Sequence, residues 1–178
     1  PRIDDTIDAM GSSQWFSTLD MASGYWQVGV RERDKEKTAF VCHEGLYEFN
    51  VMPFGLVNAP MTFQRLMERV LQGLHWSTCL VYLDDCIILG QNFDVHLANL
   101  KEVLQRVREA GLKLKPSKCQ LFKKQVTYLG HVISSSGVLP DPGNISKVSA
   151  LPRPQNATQV RSFLGLASFY RRFIPAFS

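Results

Sequence analysis

The chain has 178 residues, enough for one hydrophobic core or for one domain with part of another. Hydrophobic residues make up 45% and charged residues 20%, and no apolar run approaches the ~20 residues that cross a bilayer. The four cysteines lack C-x-x-C spacing, which argues against a zinc site and a disulfide framework. The net charge is +4, and its basic clusters suit a polyanionic partner, although such clusters more often form a solvated face. These clusters comprise Lys113, Lys115, Lys118, Lys123 and Lys124, and then Arg161, Arg171 and Arg172.

Taken in chain order, the hydrophobic pattern predicts short strands separated by amphipathic helices. The predicted strands cover residues 15–19, 46–51, 79–83, 86–89, 126–129 and 131–133. The predicted helices cover residues 4–10, 60–74, 94–110 and a final stretch capped by Asn156, with Asp94 as the cap of the third. Charged residues 31–37 predict an exposed hairpin, and the serines and prolines of residues 134–154 predict a boundary and an extended linker. The order of these elements predicts an α+β core with helices on one face of the sheet.

Two adjacent carboxylates, Asp84 and Asp85, lie between two short apolar runs, a pattern that predicts strand, two-residue turn and strand. Asp is a common turn residue, so the pair could be only the tip of a hairpin. Two carboxylates about 4 Å apart, however, repel by ~4 kcal/mol at an effective dielectric constant near ~20. Asn-Gly or Asp-Gly would close the turn without this cost, whereas a divalent cation would offset it.

A third carboxylate, Asp20, also stands where an apolar strand ends. It could cap the turn that follows, or it could face the Asp84–Asp85 hairpin. Three convergent carboxylates without His or Cys favour Mg²⁺ over zinc. Two such ions about 3.5–4 Å apart would stabilise the attacking and leaving oxygens of a phosphoryl displacement.

Three motifs of the chain resemble those of reverse transcriptases from gypsy-type LTR retrotransposons. The motifs are FSTLDMASGYWQ at residues 16–27, MPFGLVNAP at residues 52–60 and YLDD at residues 82–85. Residues 111–114, 118–119, 128–131 and 163–174 match the family's later motifs in order and spacing. Any single motif is weak, but the ordered set is specific and covers essentially the whole chain.

This resemblance implies an α+β polymerase palm, with an antiparallel sheet and helices packed on one face, partial fingers and the start of a thumb. Residues 1–27 would be palm with the first catalytic motif, and residues 28–59 the returning segment of the fingers. Residues 60–137 would be palm with the catalytic hairpin and the primer grip, and residues 138–178 the truncated start of the thumb and connection. Because the chain begins at Pro1, we expect a fragment of a pol polyprotein.

The resemblance also implies a role for each matching residue. Asp20, Asp84 and Asp85 would hold two Mg²⁺ ions, with Mn²⁺ as a substitute. Lys118 would donate a proton to the departing pyrophosphate, unless it is only a solvated lysine. Tyr25 would exclude a 2′-hydroxyl, whereas the residue pattern without the family favours a plain buried aromatic residue. The other nucleotide-binding residues would be Met21, Ala22, Ser23, Gly24, Phe54 and Gly55. Contacts with the primer or nucleic acid would come from Tyr82, Leu129, Gly130, Lys113 and Lys115. His96 and His131 are predicted to be structural.

The resulting hypothesis is an RNA-directed DNA polymerase that transfers nucleotides from dNTPs to a primer 3′-hydroxyl on an RNA or DNA template. Its partners would include the RNase H and integrase parts of the polyprotein, with no membrane. The family implies an intracellular location in a cytoplasmic virus-like particle. Two alternatives stay open: an inactive or domesticated remnant that binds nucleic acid or a protein partner, and a metal-dependent phosphohydrolase.

Overall fold

Nine β-strands and five helices form the part of the chain described by the computed structural model, which covers residue 10 and residues 13–177. The strands are β1 (Trp15–Asp20), β2 (Phe40–Cys42), β3 (Gly45–Tyr47), β4 (Cys79–Tyr82), β5 (Asp85–Gly90), β6 (Gln120–Lys123), β7 (Gln125–Tyr128), β8 (His131–Ser134) and β9 (Gly137–Pro140). The helices are α1 (Glu32–Lys35), α2 (Ala59–Val70), α3 (Phe93–Glu109), α4 (Pro142–Ser149) and α5 (Ala157–Phe169). The helix predicted over residues 4–10 lies outside the described residues apart from Met10, which is in a turn.

The central sheet has the strand order β4-β5-β1-β6, and all of its strands are antiparallel. Its middle strands pair in continuous register from Trp15–Gly90 to Asp20–Asp85. Alternation along β1 and β5 sends side chains to opposite faces, and both faces are covered. This explains why β5 is sequentially apolar rather than alternating, with all five residues after Asp85 buried.

Helices α2 and α3 cover one face of this sheet. Their core residues pack against strand residues from β1, β4 and β5; the helical ones are Phe63, Met67, Leu100, Val103 and Val107. The opposite face is covered by the second sheet, β7-β8-β9, through Val126, Tyr128 and Ile133. Each fully buried aliphatic or aromatic side chain stabilises such a core by ~1.5–3 kcal/mol. The predicted α+β arrangement with helices on one face is therefore confirmed.

The hairpin predicted around residues 31–37 is wrong in its location. These residues form α1 and a 3₁₀ turn (Glu36–Thr38), and the hairpin is made by β2 and β3 instead. Alternating charges favour the helical turn, because Lys35 reaches Glu32 at 2.8 Å and Lys37 reaches Asp34 at 2.6 Å.

Two further boundaries differ from the predictions. The cap of helix α3 lies two residues earlier than expected: Asn92 is the cap, accepting from the Val95 N–H at 2.9 Å, and Asp94 lies inside the first turn. The predicted linker over residues 134–154 instead contains the β8–β9 hairpin and helix α4, which Asp141 caps and Pro142 begins. Pro is well suited to a first helical turn because its missing N–H would be unsatisfied there.

Candidate active site

The register of the central sheet brings Asp20 and Asp85 together. They are directly opposite each other at the ends of β1 and β5, on the face that also carries Phe16 and Ile87. Directly opposed residues of an antiparallel pair have Cβ atoms ~4.5–5.5 Å apart, and like charges in such a pair are destabilising. Asp84 precedes Asp85 in the tight turn after β4. The structure therefore brings Asp20 and Asp85 together where the two middle strands end, with Asp84 one residue away.

The turn differs by one residue from the predicted one. Tyr82 pairs with Asp85, so Leu83 and Asp84 form the turn and Asp85 belongs to β5. Leu83 has a φ of 57°, in the left-handed region that favours glycine. Its N–H donates to Oε1 of Gln64, whose Nε2 also lies 3.4 Å from the Val81 carbonyl oxygen. This buried glutamine of α2 holds the hairpin tip, and it was missed; the available signal was a polar residue on the apolar face of α2.

The negative charges of Asp84 and Asp20 repel that of Asp85. Burial raises the pKa of Asp85, and the negative charges of Asp84 and Asp20 raise it further, while Lys118 opposes them. Lys118 Nζ lies 3.3 Å from Asp20 Oδ2 in a solvent-accessible ion pair, a kind worth ~0–1 kcal/mol and so easily displaced. A hard divalent cation fits this donor set, since oxygen ligands alone are present and their repulsion needs a counter-charge. In this conformation, however, the described residues contain no group of three His, Cys, Asp or Glu side chains arranged to hold an ion.

Two clefts meet at Asp20. The larger, of about 560 Å³, is lined by residues from β1, the turn after it, the Asp84 turn and residues 114–118. Leu114 and Pro116 line it although they were not predicted. The other lining residues all belong to the predicted site: Asp20, Met21, Ala22, Ser23, Gly24, Tyr25, Phe54, Asp84, Lys115 and Lys118. The smaller cleft, of about 150 Å³, contains Asp20, Asp85, Lys118 and Leu129. Gly55, Tyr82, Lys113 and Gly130 line neither cleft.

The turn after β1 is shaped by a close approach to α2. Ser23 is left-handed, with φ 50° and ψ 54°, and a Cβ on Gly24 would lie 2.9 Å from the Phe63 ring. Only glycine fits without displacing that ring. Tyr25 then contacts Phe54 and Phe63, with ring centroids 5.4 and 5.9 Å away. Partial burial raises the pKa of Tyr25, and the nearby charge of Asp84 adds to this.

The β7–β8 hairpin reaches the same site from the other sheet. Leu129 and Gly130 form its tip, both with positive φ, and the Tyr128 hydroxyl donates to the Asp85 carbonyl at 3.4 Å. Behind the tip, His131 packs against Phe169, Tyr170 and Phe173, which attaches the hairpin to the end of α5. His96 is buried against Ser17, with Nε2 2.7 Å from the serine Oγ. Neither histidine lines either of these two clefts, which fits the prediction that both are structural.

An antiparallel sheet that presents three aspartates beside a cleft, with helices on its other face, defines a polymerase-type palm. Residues 1–133 match the family model described as Reverse transcriptase (RNA-dependent DNA polymerase), and the chain belongs to this family.

Curated relatives agree with the gypsy-type resemblance, which is confirmed. The chain is 40% identical over all 178 residues to the Pol polyproteins of transposons 297 and gypsy from Drosophila melanogaster, of which it covers 17% each. It is 35% identical over 175 residues to the transposon Tf2-3 polyprotein of Schizosaccharomyces pombe, of which it covers 13%. The chain thus spans less than a fifth of each of these relatives.

Solved structures extend the similarity to three dimensions. The chain superposes on a foamy viral protease-reverse transcriptase in complex with double-stranded DNA with a TM-score of 0.85 and 27% identity, covering 93% of this chain and 29% of that one. For the same kind of enzyme with an RNA/DNA hybrid the TM-score is 0.82, with 26% identity, covering 97% of this chain and 24% of that one.

No helix in the part that the structure describes has the length and apolar character to traverse a bilayer.

Proposed function

We propose that this chain carries the polymerase centre of a reverse transcriptase and transfers nucleotides from dNTPs to a primer 3′-hydroxyl. The observation that supports this most directly is the pairing of Asp20 with Asp85, one residue from Asp84, where two clefts meet. Two clefts that share the carboxylate of Asp20 suit a reaction that joins two substrates.

Asp20, Asp84 and Asp85 would hold the two Mg²⁺ ions, or Mn²⁺ in their place. The bound ions would lower the pKa of the attacking hydroxyl and neutralise the charge that develops on the phosphate. The raised pKa of Asp85 supports this assignment, since a cation would relieve the repulsion that causes part of it.

The larger cleft would take the deoxynucleotide. Tyr25, fixed between Phe54 and Phe63, would contact the sugar and exclude a 2′-hydroxyl, while Met21 to Gly24 would face the phosphates. Phe54 and Gly55 would pack near the base pair. Lys118, beside Asp20 and at the edge of both clefts, would protonate the departing pyrophosphate.

The smaller cleft would receive the primer terminus. Leu129 lines it and Gly130 follows in the hairpin tip, with Tyr82 nearby in the strand that pairs with Asp85. Lys113 and Lys115 would contact duplex phosphates. The similar foamy viral enzymes were solved with double-stranded DNA and an RNA/DNA hybrid, which supports a template–primer partner for this chain.

The wider organisation follows the same family pattern. Residues 1–27 and 60–137 would form the palm, residues 28–59 the returning fingers, and residues 138–178 the start of the thumb. RNase H and integrase segments of the same polyprotein would be covalent partners, and the protein would function in a virus-like particle. The Pol polyprotein relatives, of which this chain covers 17% each, support a place within a longer polyprotein.

Primer extension tests the proposal with the longest polypeptide that the chain's own reading frame encodes. We expect deoxynucleotide incorporation in Mg²⁺, its loss on adding EDTA, and a fall of ~100-fold or more in Asp84→Asn and in Asp85→Asn. The reason is that each substitution removes one negative oxygen from the cation site while keeping the side chain's size.

Asp94→Asn serves as the matched control, because Asp94 is exposed in the first turn of α3 and lines neither cleft. Circular dichroism should show all three variants folded. Extension by both site variants at the wild-type rate would contradict the proposal. Duplex binding without extension, in either metal, would support the remnant that only binds nucleic acid.

A further inference from the structure

Gln27 lies at the end of the 3₁₀ segment (Gly24–Gln27) that follows the nucleotide-facing turn, and its side chain makes three hydrogen bonds to main-chain groups. Its Nε2 donates to the carbonyl oxygens of Ala22 at 2.8 Å and Lys113 at 3.0 Å. Its Oε1 accepts from the Lys113 N–H at 2.7 Å. Both ends of the amide are thus committed to the backbone.

These bonds join the two walls of the larger cleft. One wall is the turn of residues 21–25, and the other is formed by Leu114, Lys115, Pro116 and Lys118, directly after Lys113 in the chain. The Ala22 N–H donates to the Lys113 carbonyl at 2.9 Å, and the Lys115 N–H donates to the Asp20 carbonyl at 2.9 Å. Together with the antiparallel bridge between Met21 and Leu114, they form a short ladder between the two walls. The Gln27 side-chain amide extends that ladder, because it bonds to main-chain N–H and C=O groups as a further peptide group would.

The chemistry of the contact is specific to glutamine. A carboxylate in place of the amide would set its oxygens against the carbonyls of Ala22 and Lys113, because it has no donor. A thioether of similar length would make none of the three bonds. Gln27 is half-buried, and the three hydrogen bonds that its substitution removes all go to main-chain groups.

We infer that Gln27 is a positioning residue, which fixes the separation of the two cleft walls and thereby sets the affinity for the incoming nucleoside triphosphate. This inference rests on the proposed function of the larger cleft. Gln27 lines neither cleft itself and acts through residues 22 and 113. Its loss should therefore alter nucleotide binding much more than the turnover of bound nucleotide.

The test compares Gln27→Met and Gln27→Glu with the wild type in two assays, using the same polypeptide as above. Steady-state primer extension gives KM for the dNTP and kcat; titration of dATP with Mg²⁺, followed by tryptophan fluorescence, gives Kd. We expect KM and Kd to rise about tenfold, kcat to change less than about threefold, and duplex affinity to stay the same. Trp26 is a suitable reporter, being adjacent to Gln27 and 52% exposed.

Gln105→Met is the matched control, because Gln105 is exposed on α3, where its side-chain amide donates a hydrogen bond to Glu109 Oε1 at 2.9 Å. It should leave KM and Kd unchanged. Unaltered KM and Kd in both Gln27 variants would overturn the inference. So would a joint decline of nucleotide affinity, duplex affinity and melting temperature, since that pattern indicates general destabilisation.

The two proposals fail in different ways. If the wild type neither binds dATP nor extends a primer, the proposed function is wrong, and so is this inference, which depends on it. If the wild type does both and the Gln27 variants match it, only the positioning role is wrong.

Discussion

Tyr25 owes its position to aromatic contacts on two sides, with Phe54 at the mouth of the cleft and Phe63 in the core. Its ring is thereby held at the wall where a nucleotide sugar would lie. We predict that Tyr25→Ala weakens discrimination against ribonucleotides by ~10-fold or more, because a steric barrier to the 2′-hydroxyl is removed. The measurement is the ratio of kcat/KM for a dNTP and the matching rNTP.

Tyr25→Phe is the control for this prediction, since it keeps the ring and removes only the hydroxyl. It should retain sugar selectivity close to that of the wild type. Selectivity that is the same in the Ala and Phe variants would show that the ring is only a packing residue.

His96 is a buried imidazole that links α3 to β1 through Ser17. Burial lowers the pKa of His96 below its ordinary value of 6.5. The unfolded chain therefore binds a proton more readily, and the free energy of unfolding should fall as the pH drops from 6.5 towards the folded pKa. For one group this loss cannot exceed ~1.4 kcal/mol per pH unit.

Urea denaturation at pH 7.5 and 5.5 measures this effect. We predict a smaller pH dependence in His96→Gln, which cannot be protonated, than in the wild type. His43→Gln is the control because the His43 side chain is 91% exposed, and it should behave like the wild type. Equal pH dependence in all three proteins would argue against the assignment.

At the scale of elements, the contact between the β1 turn and α2 makes Gly24 sensitive to substitution. An added Cβ would lie 2.9 Å from Phe63 Cζ, so the ring beneath Tyr25 must move. We predict that Gly24→Ala lowers the free energy of unfolding by ~1–3 kcal/mol and raises KM for dNTPs. Thermal denaturation and primer extension measure the two effects.

Gly165 provides the opposite case, as a glycine inside α5 whose added Cβ would meet no described atom within 4 Å beyond its chain neighbours and its own helix backbone. Gly165→Ala should stabilise the chain by up to ~1 kcal/mol, because alanine restricts the unfolded chain and favours a helix. Two glycine variants with the same sign of effect would refute this comparison.

Sequence periodicity predicts these elements unequally well. Strands β1, β4 and β5 are predicted because their apolar runs are short and bounded, and α2 and α3 because their apolar stripes are long. The exact turn between β4 and β5 is not predictable from local pattern, since Gln64 of a different element stabilises Leu83 at positive φ. Likewise Asn92 and Asp94 are both plausible caps, and only the backbone geometry selects Asn92.

At the scale of the whole molecule, the sequence predicts the layers of sheet and helices but not which apolar residues of the helices are buried. Leu97 and Leu104 belong to the apolar stripe of α3, yet they are 47% and 36% exposed. On α5, Ala167 is the buried residue while Val160, Phe163 and Leu164 are exposed, so most of the apolar side of this helix is left uncovered by the described chain. Three aspartates can be found by motif, but the opposed pair of Asp20 and Asp85 depends on strand register, a property of non-local contacts.

Basic residues border both clefts: Lys115 and Lys118 line the larger one, and Lys118 also lines the smaller one. We predict that duplex affinity falls with salt, and that Lys113→Gln combined with Lys115→Gln reduces the slope of log K against log salt by up to about 2. Each lost phosphate contact removes ~0.9 from this slope. Fluorescence anisotropy at several salt concentrations gives the measurement.

Lys101→Gln is the control, because Lys101 is exposed on α3, away from both clefts. It changes the net charge by one without removing a proposed phosphate contact, so its slope should match that of the wild type. A similar reduction in slope for Lys101→Gln would mean that overall charge, rather than these lysines, governs binding.

Asp20 and Lys118 belong to the lining of both clefts. An occupant of either cleft therefore changes the free energy of groups that the other occupant also contacts. Thermodynamic linkage makes such a coupling reciprocal: the factor by which the first ligand alters the affinity for the second equals the factor in the reverse direction. A shared ion pair of one lysine and one aspartate would thus give the two substrates of this centre cooperative binding, favourable or antagonistic, before any bond is made.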